Sequence, residues 1–307
     1  MLVDDHQGLL DKVSALLQND FDVAAVATSG REALRTVRDV DPDLIVLDIS
    51  MPGLNGFDTM RALRNGGSRA RVVFLSTFDA DDYVSEAFKC GGRGFVAKVH
   101  VARDLPGALE QVFLGRLVMP SLTGAFRLAN GGGHAMQLYQ DAESFLDGVA
   151  GCLHLALQRG DATCVLAPEH FRKGLAIRLD ARGWDIGGSG HERYRARDAG
   201  DALEQFMRNG LPDAARLSEI VTELEEYRGT VTQRPTSRLA IFGTMAGSLT
   251  AEGNEAGAIA LETHWDALTR GLPFFTLCGY DSSRFQQATP DLWSRTCAAH
   301  WAVVSQA

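Results

Sequence analysis

The chain has 307 residues, enough for two domains of roughly 100–200 residues each. Apolar residues make up 45% and charged residues 22%, which excludes a disordered chain. A formal charge of −9 argues against a sequence-independent DNA clamp, whose affinity comes from Lys and Arg on phosphates.

In the first half, short apolar runs alternate with amphipathic segments. Val23–Ala27, Leu44–Leu47, Val72–Leu75 and Gly94–Ala97 read as strands buried on both faces. Leu9-Val13-Leu16-Leu17, Ala33-Leu34-Val37, Tyr83-Ala87-Phe88 and Leu105-Leu109-Val112-Phe113 repeat at helical spacing. The alternation predicts a doubly wound parallel sheet. Residues 116–133 carry Pro120, Ser121 and Gly124, then Asn130 and Gly131–Gly133, and read as a linker. The halves carry −3 and −6, so neither is a basic module.

A second α/β unit is expected over 134–307. Its strands are His134–Tyr139, Ala162–Ala167, Arg193–Arg197 at an edge, Leu239–Gly243 and Phe274–Tyr280. Its helices are the segment after Asp141, one opened by Pro168-Glu169, Ala199–Asn209, Asp213–Tyr227, Asn254–Thr269 and Pro290–Val304. No apolar run approaches the roughly 18–20 residues of a bilayer span. The start lacks a basic-then-apolar leader pattern, and the five scattered cysteines read as reduced thiols, with neither a disulfide frame nor a zinc-site spacing. A cytoplasmic protein without a membrane partner is expected.

The chemistry of the first half gathers at strand ends. Asp4 and Asp5 follow Leu2-Val3, Asp48 follows Leu44–Leu47, Thr77 follows Val73–Ser76, and Lys98 follows Phe95–Ala97. In an open parallel sheet these ends line the ligand crevice. Three carboxylates there call for a cation, and oxygen ligands suit Mg²⁺. Asp48 is then the carboxylate nucleophile towards phosphorus, with Thr77 and Lys98 stabilising charge on the phosphoryl oxygens.

These residues, with Asp48-Ile49-Ser50-Met51-Pro52-Gly53 and Gly92-Arg93-Gly94-Phe95-Val96-Ala97-Lys98, make residues 1–115 resemble a response-regulator receiver domain. The resemblance implies a flavodoxin-like, five-stranded parallel sheet with Asp48 as phospho-acceptor. It implies Mg²⁺ held by Asp4, Asp5, Asp48 and the Ser50 carbonyl, a switch made of Thr77 and Phe95, and Lys98 on the phosphate. It also implies a sensor histidine kinase as partner, and a homodimer through the receiver is compatible with it. Only Met1-Leu2-Val3 precede the acidic pair, so the first strand is expected to be short.

The strand ending at Ala167 would carry a phosphate-binding loop in a nucleoside triphosphatase. Pro168-Glu169-His170-Phe171-Arg172-Lys173-Gly174 lacks the glycines and sets a carboxylate where phosphates would sit, so no ATP is expected. Lys173 reads as part of a solvated face. His134 through Leu138-Tyr139, Ala167-Pro168-Glu169-His170, Phe242-Gly243, Glu252-Gly253-Asn254, Leu261-Glu262 with Trp265, Cys278-Gly279-Tyr280 and Cys297-Ala298-Ala299-His300 resemble the methanogen/methylotroph sensory domain, MEDS. That resemblance implies a RecA-like α/β domain without a P-loop that senses a small ligand. Thr244 stands where the resemblance leads one to expect an acid.

His134, Tyr139, His170, Glu262, Trp265, Tyr280 and His300 are the candidates for a pocket binding a small organic molecule. No H-x-x-x-H spacing marks the histidines as a metal site. The expected protein is therefore a two-component response regulator with a C-terminal ligand-sensing or partner-binding domain. It is not an enzyme beyond phosphoryl transfer and dephosphorylation at its receiver. DNA is not an expected partner, since no basic helix pair is present. The alternatives are a transcription regulator with an unrecognised DNA surface and a phospho-dependent adaptor.

Overall fold

A computed structural model describes residues 1–77, 81–129, 131–186, 191–285 and 289–304. Asn130 of the predicted linker and residues 305–307 of the second predicted unit lie outside the described residues. The chain divides into two compact units, Met1–Pro120 and Ser121–Ala307.

The first unit runs β1 (Leu2–Val3), α1 (Gln7–Leu17), β2 (Val26–Ala27), α2 (Gly30–Val40), β3 (Leu44–Asp48), α3 (Gly56–Asn65) and β4 (Arg71–Ser76). It continues with α4 (Asp81–Lys89), β5 (Gly94–Ala97), α5 (Val101–Phe113) and β6 (Leu117–Met119). The strands are parallel in the order β2-β1-β3-β4-β5-β6. The order reverses between β1 and β3, which is the flavodoxin-like switch point. Val46, Val73, Leu75 and Val96 pack with Leu10, Val13, Leu105 and Leu109, so the amphipathic helices bury their apolar stripes on the sheet. β2 is shorter than its apolar run: only Val26 and Ala27 pair with Leu2 and Val3.

The second unit runs α6 (Leu122–Leu128), β7 (Gly133–Tyr139), α7 (Ala142–Arg159), β8 (Ala162–Leu166), α8 (Glu169–Asp180), β9 (Tyr194–Arg197), α9 (Ala199–Phe206), β10 (Met207–Arg208) and β11 (Leu211–Pro212). Then come α10 (Ala214–Val231), β12 (Leu239–Gly243), α11 (Met245–Ala251), α12 (Glu255–Thr269), β13 (Phe274–Asp281), α13 (Ser282–Phe285), α14 (Pro290–Ala298) and β14 (Ala302–Val304). Its main sheet is parallel, in the order β14-β7-β13-β12-β8-β9. Among the described residues, no helix is long and apolar enough to cross a membrane.

Three expectations change. First, the stretch read as a linker, 116–133, carries two elements, β6 and α6, among its described residues. Leu117, Val118 and Met119 are buried in β6, and Ser121 caps α6 by accepting from Gly124 N at 3.1 Å. Gly132 is there for contact: at φ +149°, a Cβ would lie 2.4 Å from the Leu272 carbonyl oxygen. Second, the helix expected to reach Asn209 stops at Phe206. Asn209 and Gly210 both take positive φ and turn the β10–β11 hairpin. Third, the helix expected over Pro290–Val304 ends at Ala298. Trp301 N donates to the His134 carbonyl and Ala302–Val304 join β7 instead.

Candidate functional site

In the first unit, β1 and β3 run side by side and deliver Asp4, Asp5 and Asp48 to one sheet edge. Oxygens of the three carboxylates lie within 4.8 Å of one another. Asp4 and Asp48 are buried, while Asp5 is exposed. Lys98 follows β5 and bridges the two buried acids, with Nζ 2.7 Å from Asp4 Oδ2 and 2.9 Å from Asp48 Oδ2. Asp48 Oδ1 accepts from Ser50 N at 3.2 Å, and Asp4 Oδ1 from His6 N at 2.9 Å. Gly56 lets α3 start against this loop: a Cβ there would meet the Asp48 carbonyl oxygen at 2.3 Å.

Burial pushes the Asp48 carboxyl above its ordinary range, and Lys98 opposes that shift. Burial would lower the Lys98 ammonium, but its bonds to Asp4 and Asp48 outweigh that and hold it above its usual value. The site is therefore a cation fixed between two desolvated carboxylates. Thr77 lies exposed just beyond β4, and Phe95 is fully buried in β5. The donor set is all oxygen, which fits a hard cation such as Mg²⁺.

The seven pocket candidates of the second unit do not converge. Five lie on the α12 face of the sheet: His134, Glu262, Trp265, Tyr280 and His300. Tyr139 lies on the opposite face, stacked on Phe145 at 4.3 Å between ring centroids and 5.9 Å from Phe171. His170 is exposed, 4.7 Å from Phe171. Phe145 and Phe242, 5.6 Å apart, fill the space beside Tyr139. The reading of one pocket built from all seven is therefore corrected. The physical reason is the two-residue period of a strand, which sends His134 and Tyr139 of β7 to opposite faces. Trp265 is a core residue whose Nε1 donates to Thr276 Oγ1 at 3.0 Å. After Ala167, Glu169 and Lys173 pair with each other at 2.7 Å on an exposed helix face.

On the α12 face the polar groups close on one carboxylate. Glu262 Oε2 lies 3.1 Å from His134 Nε2, 3.5 Å from His300 Nε2 and 3.6 Å from Cys278 Sγ. The Tyr280 hydroxyl donates to Glu262 Oε1. His134 Nδ1 is 3.0 Å from the Ala299 carbonyl and His300 Nδ1 is 2.6 Å from the Thr296 carbonyl. Burial lowers the His300 imidazole to about 4 and raises the Cys278 thiol, which Glu262 raises further. Cys278 stands in one of the motifs that resemble the MEDS domain but is not among the seven pocket candidates. Its place two residues before Tyr280 on β13, hence on the same face, was the available signal.

Residues 1–110 match the model of the response regulator receiver domain, and residues 133–295 match the model described as MEDS, methanogen/methylotroph, DcmR sensory domain. The nitrate/nitrite response regulator protein NarL of Escherichia coli (strain K12) is 35% identical over 121 residues, covering 39% of this chain and 56% of that protein. The transcriptional regulatory protein MctR of Rhizobium johnstonii is 32% identical over 114 residues, covering 36% and 53%. A crystal structure of a two-component response regulator of the LuxR family from an Aurantimonas species aligns with TM-score 0.38 at 30% identity, over 39% of this chain and 86% of that one. The chain thus spans just over half the length of the curated relatives it matches.

Proposed function

We propose that this chain, which belongs to the MEDS sensory-domain family and carries a response regulator receiver domain ahead of that domain, is a two-component response regulator phosphorylated at Asp48. The observation that carries the reading is Lys98 Nζ held 2.7 and 2.9 Å from two buried carboxylates at the sheet's switch point. An Asp48 carboxylate oxygen attacks the phosphorus of a phosphohistidine on a sensor kinase. The P–N bond breaks, its electron pair stays on the imidazole nitrogen, and that nitrogen takes up a proton. Lys98 and the Thr77 hydroxyl bind the transferred phosphoryl oxygens, and Phe95 is the aromatic partner of that switch. Asp4, Asp5, Asp48 and the Ser50 carbonyl would hold Mg²⁺, which when bound supplies positive charge against the carboxylates and the phosphoryl group.

For the second unit, the family description supports a sensory role. The split of the seven candidates favours a response through one face of the sheet, or through a protein partner, over a single pocket. A phospho-dependent adaptor is the second reading, favoured by the filled space around Tyr139.

Acetyl phosphate with Mg²⁺ is expected to label the wild type with an acid- and base-labile phosphate, and Asp48→Asn is expected to stay unlabelled. A fully labelled Asp48→Asn variant refutes the assignment. Beryllofluoride is expected to change hydrogen exchange in α4, β5 and α5, and unchanged exchange there would exclude the Thr77/Phe95 switch.

A further inference from the structure

The buried cluster on α12 turns four potential ligand atoms towards one point and leaves one of them, His300 Nε2, without a hydrogen bond. A backbone carbonyl can only accept, so His134 and His300 must both carry a proton on Nδ1. That leaves each Nε2 free to act as a ligand atom when it carries no proton, and both are aimed at the same oxygen, Glu262 Oε2. His300 Nε2, in a residue 3% exposed, makes no hydrogen bond. The rings lie 4.0 Å apart between centroids, and Cys278 Sγ stands 3.3 Å from His134 Nε2.

We propose that His134 Nε2, His300 Nε2, Glu262 Oε2 and Cys278 Sγ form a four-ligand site for a divalent d-block cation, with zinc as the best match. The four atoms lie within 4.8 Å of one another. Tetrahedral Zn²⁺ with bonds of about 2.0–2.1 Å to N and O and about 2.3 Å to S sets its ligands roughly 3.3–3.6 Å apart. Four of the separations here are 3.1, 3.3, 3.5 and 3.6 Å. The surroundings are those of a ligand set held in place. Two carbonyls fix the imidazole tautomers, and Tyr280 takes Oε1 so that Oε2 faces the cluster. Four protein ligands make a closed, structural type of site. It joins β7, β13, α12 and the turn before β14. A cavity of about 510 Å³, lined by His134, Ala299, His300, Thr269, Phe274 and Trp301, lies beside the cluster at the amino ends of β7 and β13. The thiol proton leaves to solvent on binding and no electron is transferred. This inference is independent of the receiver assignment.

The test uses the full chain under reductant, stripped with chelator and titrated with Co²⁺ and then Zn²⁺. One Co²⁺ per chain is expected to give intense visible bands of a four-coordinate ion and a near-ultraviolet thiolate-to-cobalt band, both erased by one equivalent of Zn²⁺. Cys278→Ser is expected to lose the thiolate band, and Cys90→Ser to keep it. Tyr280→Phe, which alters a positioning residue, is expected to weaken binding by about 10–100-fold while leaving the band positions in place. A wild-type chain showing only the weak bands of six-coordinate, all-oxygen Co²⁺ overturns the proposal, whatever the variants do. So does a thiolate band that survives in Cys278→Ser.

Discussion

Replacing Arg238 by methionine removes the cation from a buried pair that ties α6 to β12. The Arg238 backbone N–H donates to Asp161 Oδ1 at 2.8 Å, and its Nε lies 3.5 Å from Asp161 Oδ2. Nη1 donates to the Phe126 carbonyl at 3.1 Å and to the Ala129 carbonyl, closing the end of α6. The guanidinium lies 4.0 Å over the Phe126 ring. Both side chains are buried, so the variant strands an Asp161 charge at a cost of about 3–5 kcal/mol. Two carbonyls that lose a donor add about 1 kcal/mol each, and the methionine stem recovers part of this by packing on Phe126. The net is about 4 kcal/mol, or a fall in midpoint of about 8–16 °C for a unit of this size. All four tryptophans, Trp184, Trp265, Trp293 and Trp301, lie in the second unit, so selectively excited tryptophan fluorescence during urea or thermal unfolding reads this unit alone. Adding Asp161→Asn removes the stranded charge, and the double variant should be less destabilised than the sum of the singles by at least about 1 kcal/mol. A shift worth less than about 1 kcal/mol for Arg238→Met would refute the argument that this pair holds α6.

Gly132→Ala drives a Cβ to within 2.4 Å of the Leu272 oxygen and should cost about 1–3 kcal/mol by the same fluorescence readout; a neutral result would restore the flexible-linker reading of this segment. In the first unit, Glu32 Oε2 accepts from Thr28 N at 2.7 Å while Ser29 Oγ accepts from Glu32 N at 3.3 Å, a reciprocal cap on α2. The Thr28 backbone bond, then its hydroxyl, holds the Glu32 carboxyl below its usual value. The folded value being the lower one, its contribution is present above the ordinary carboxylate range and is lost as pH falls through the lowered value. Glu32→Gln should therefore cost about 0.5 kcal/mol or less at neutral pH, because the group is largely solvated, and nothing in acid. Circular dichroism during urea unfolding at both pH values checks this, and a gap that persists in acid contradicts it.

Much of the fold was legible because strand and helix periods differ. Leu44–Leu47 and Gly94–Ala97 have no polar interruption and end at turn residues, and they are β3, extended by Asp48, and β5 itself. The strand-end acids could be gathered from sequence because parallel strands deliver successive carboxyl ends to one edge. Three things were hidden. Glycines between domains read as freedom, whereas Gly132 is a close contact. Asn209-Gly210 sat inside an apparently helical stretch, and a two-residue turn leaves little periodic signal. The cluster around Glu262 takes its members from β7, α12, β13 and the turn before β14, so no local spacing reports it. Parity within a strand was readable all along: 134 and 139 differ by an odd number, which alone separates His134 from Tyr139.

The order of strands in the second sheet has a consequence for synthesis. Gly133 in β7 pairs with Phe275 in β13, and Ala135 with Ala302 in β14, so both neighbours of β7 are made long after it. At roughly 5–20 residues per second, β7 waits on the order of ten seconds with neither edge covered. The first unit does not share this delay, since β1 finds β2 and β3 within its first 50 residues. During that interval the unpaired edges of β7 are open to pairing with other nascent chains. Truncation anywhere before β13 would leave it in that state permanently.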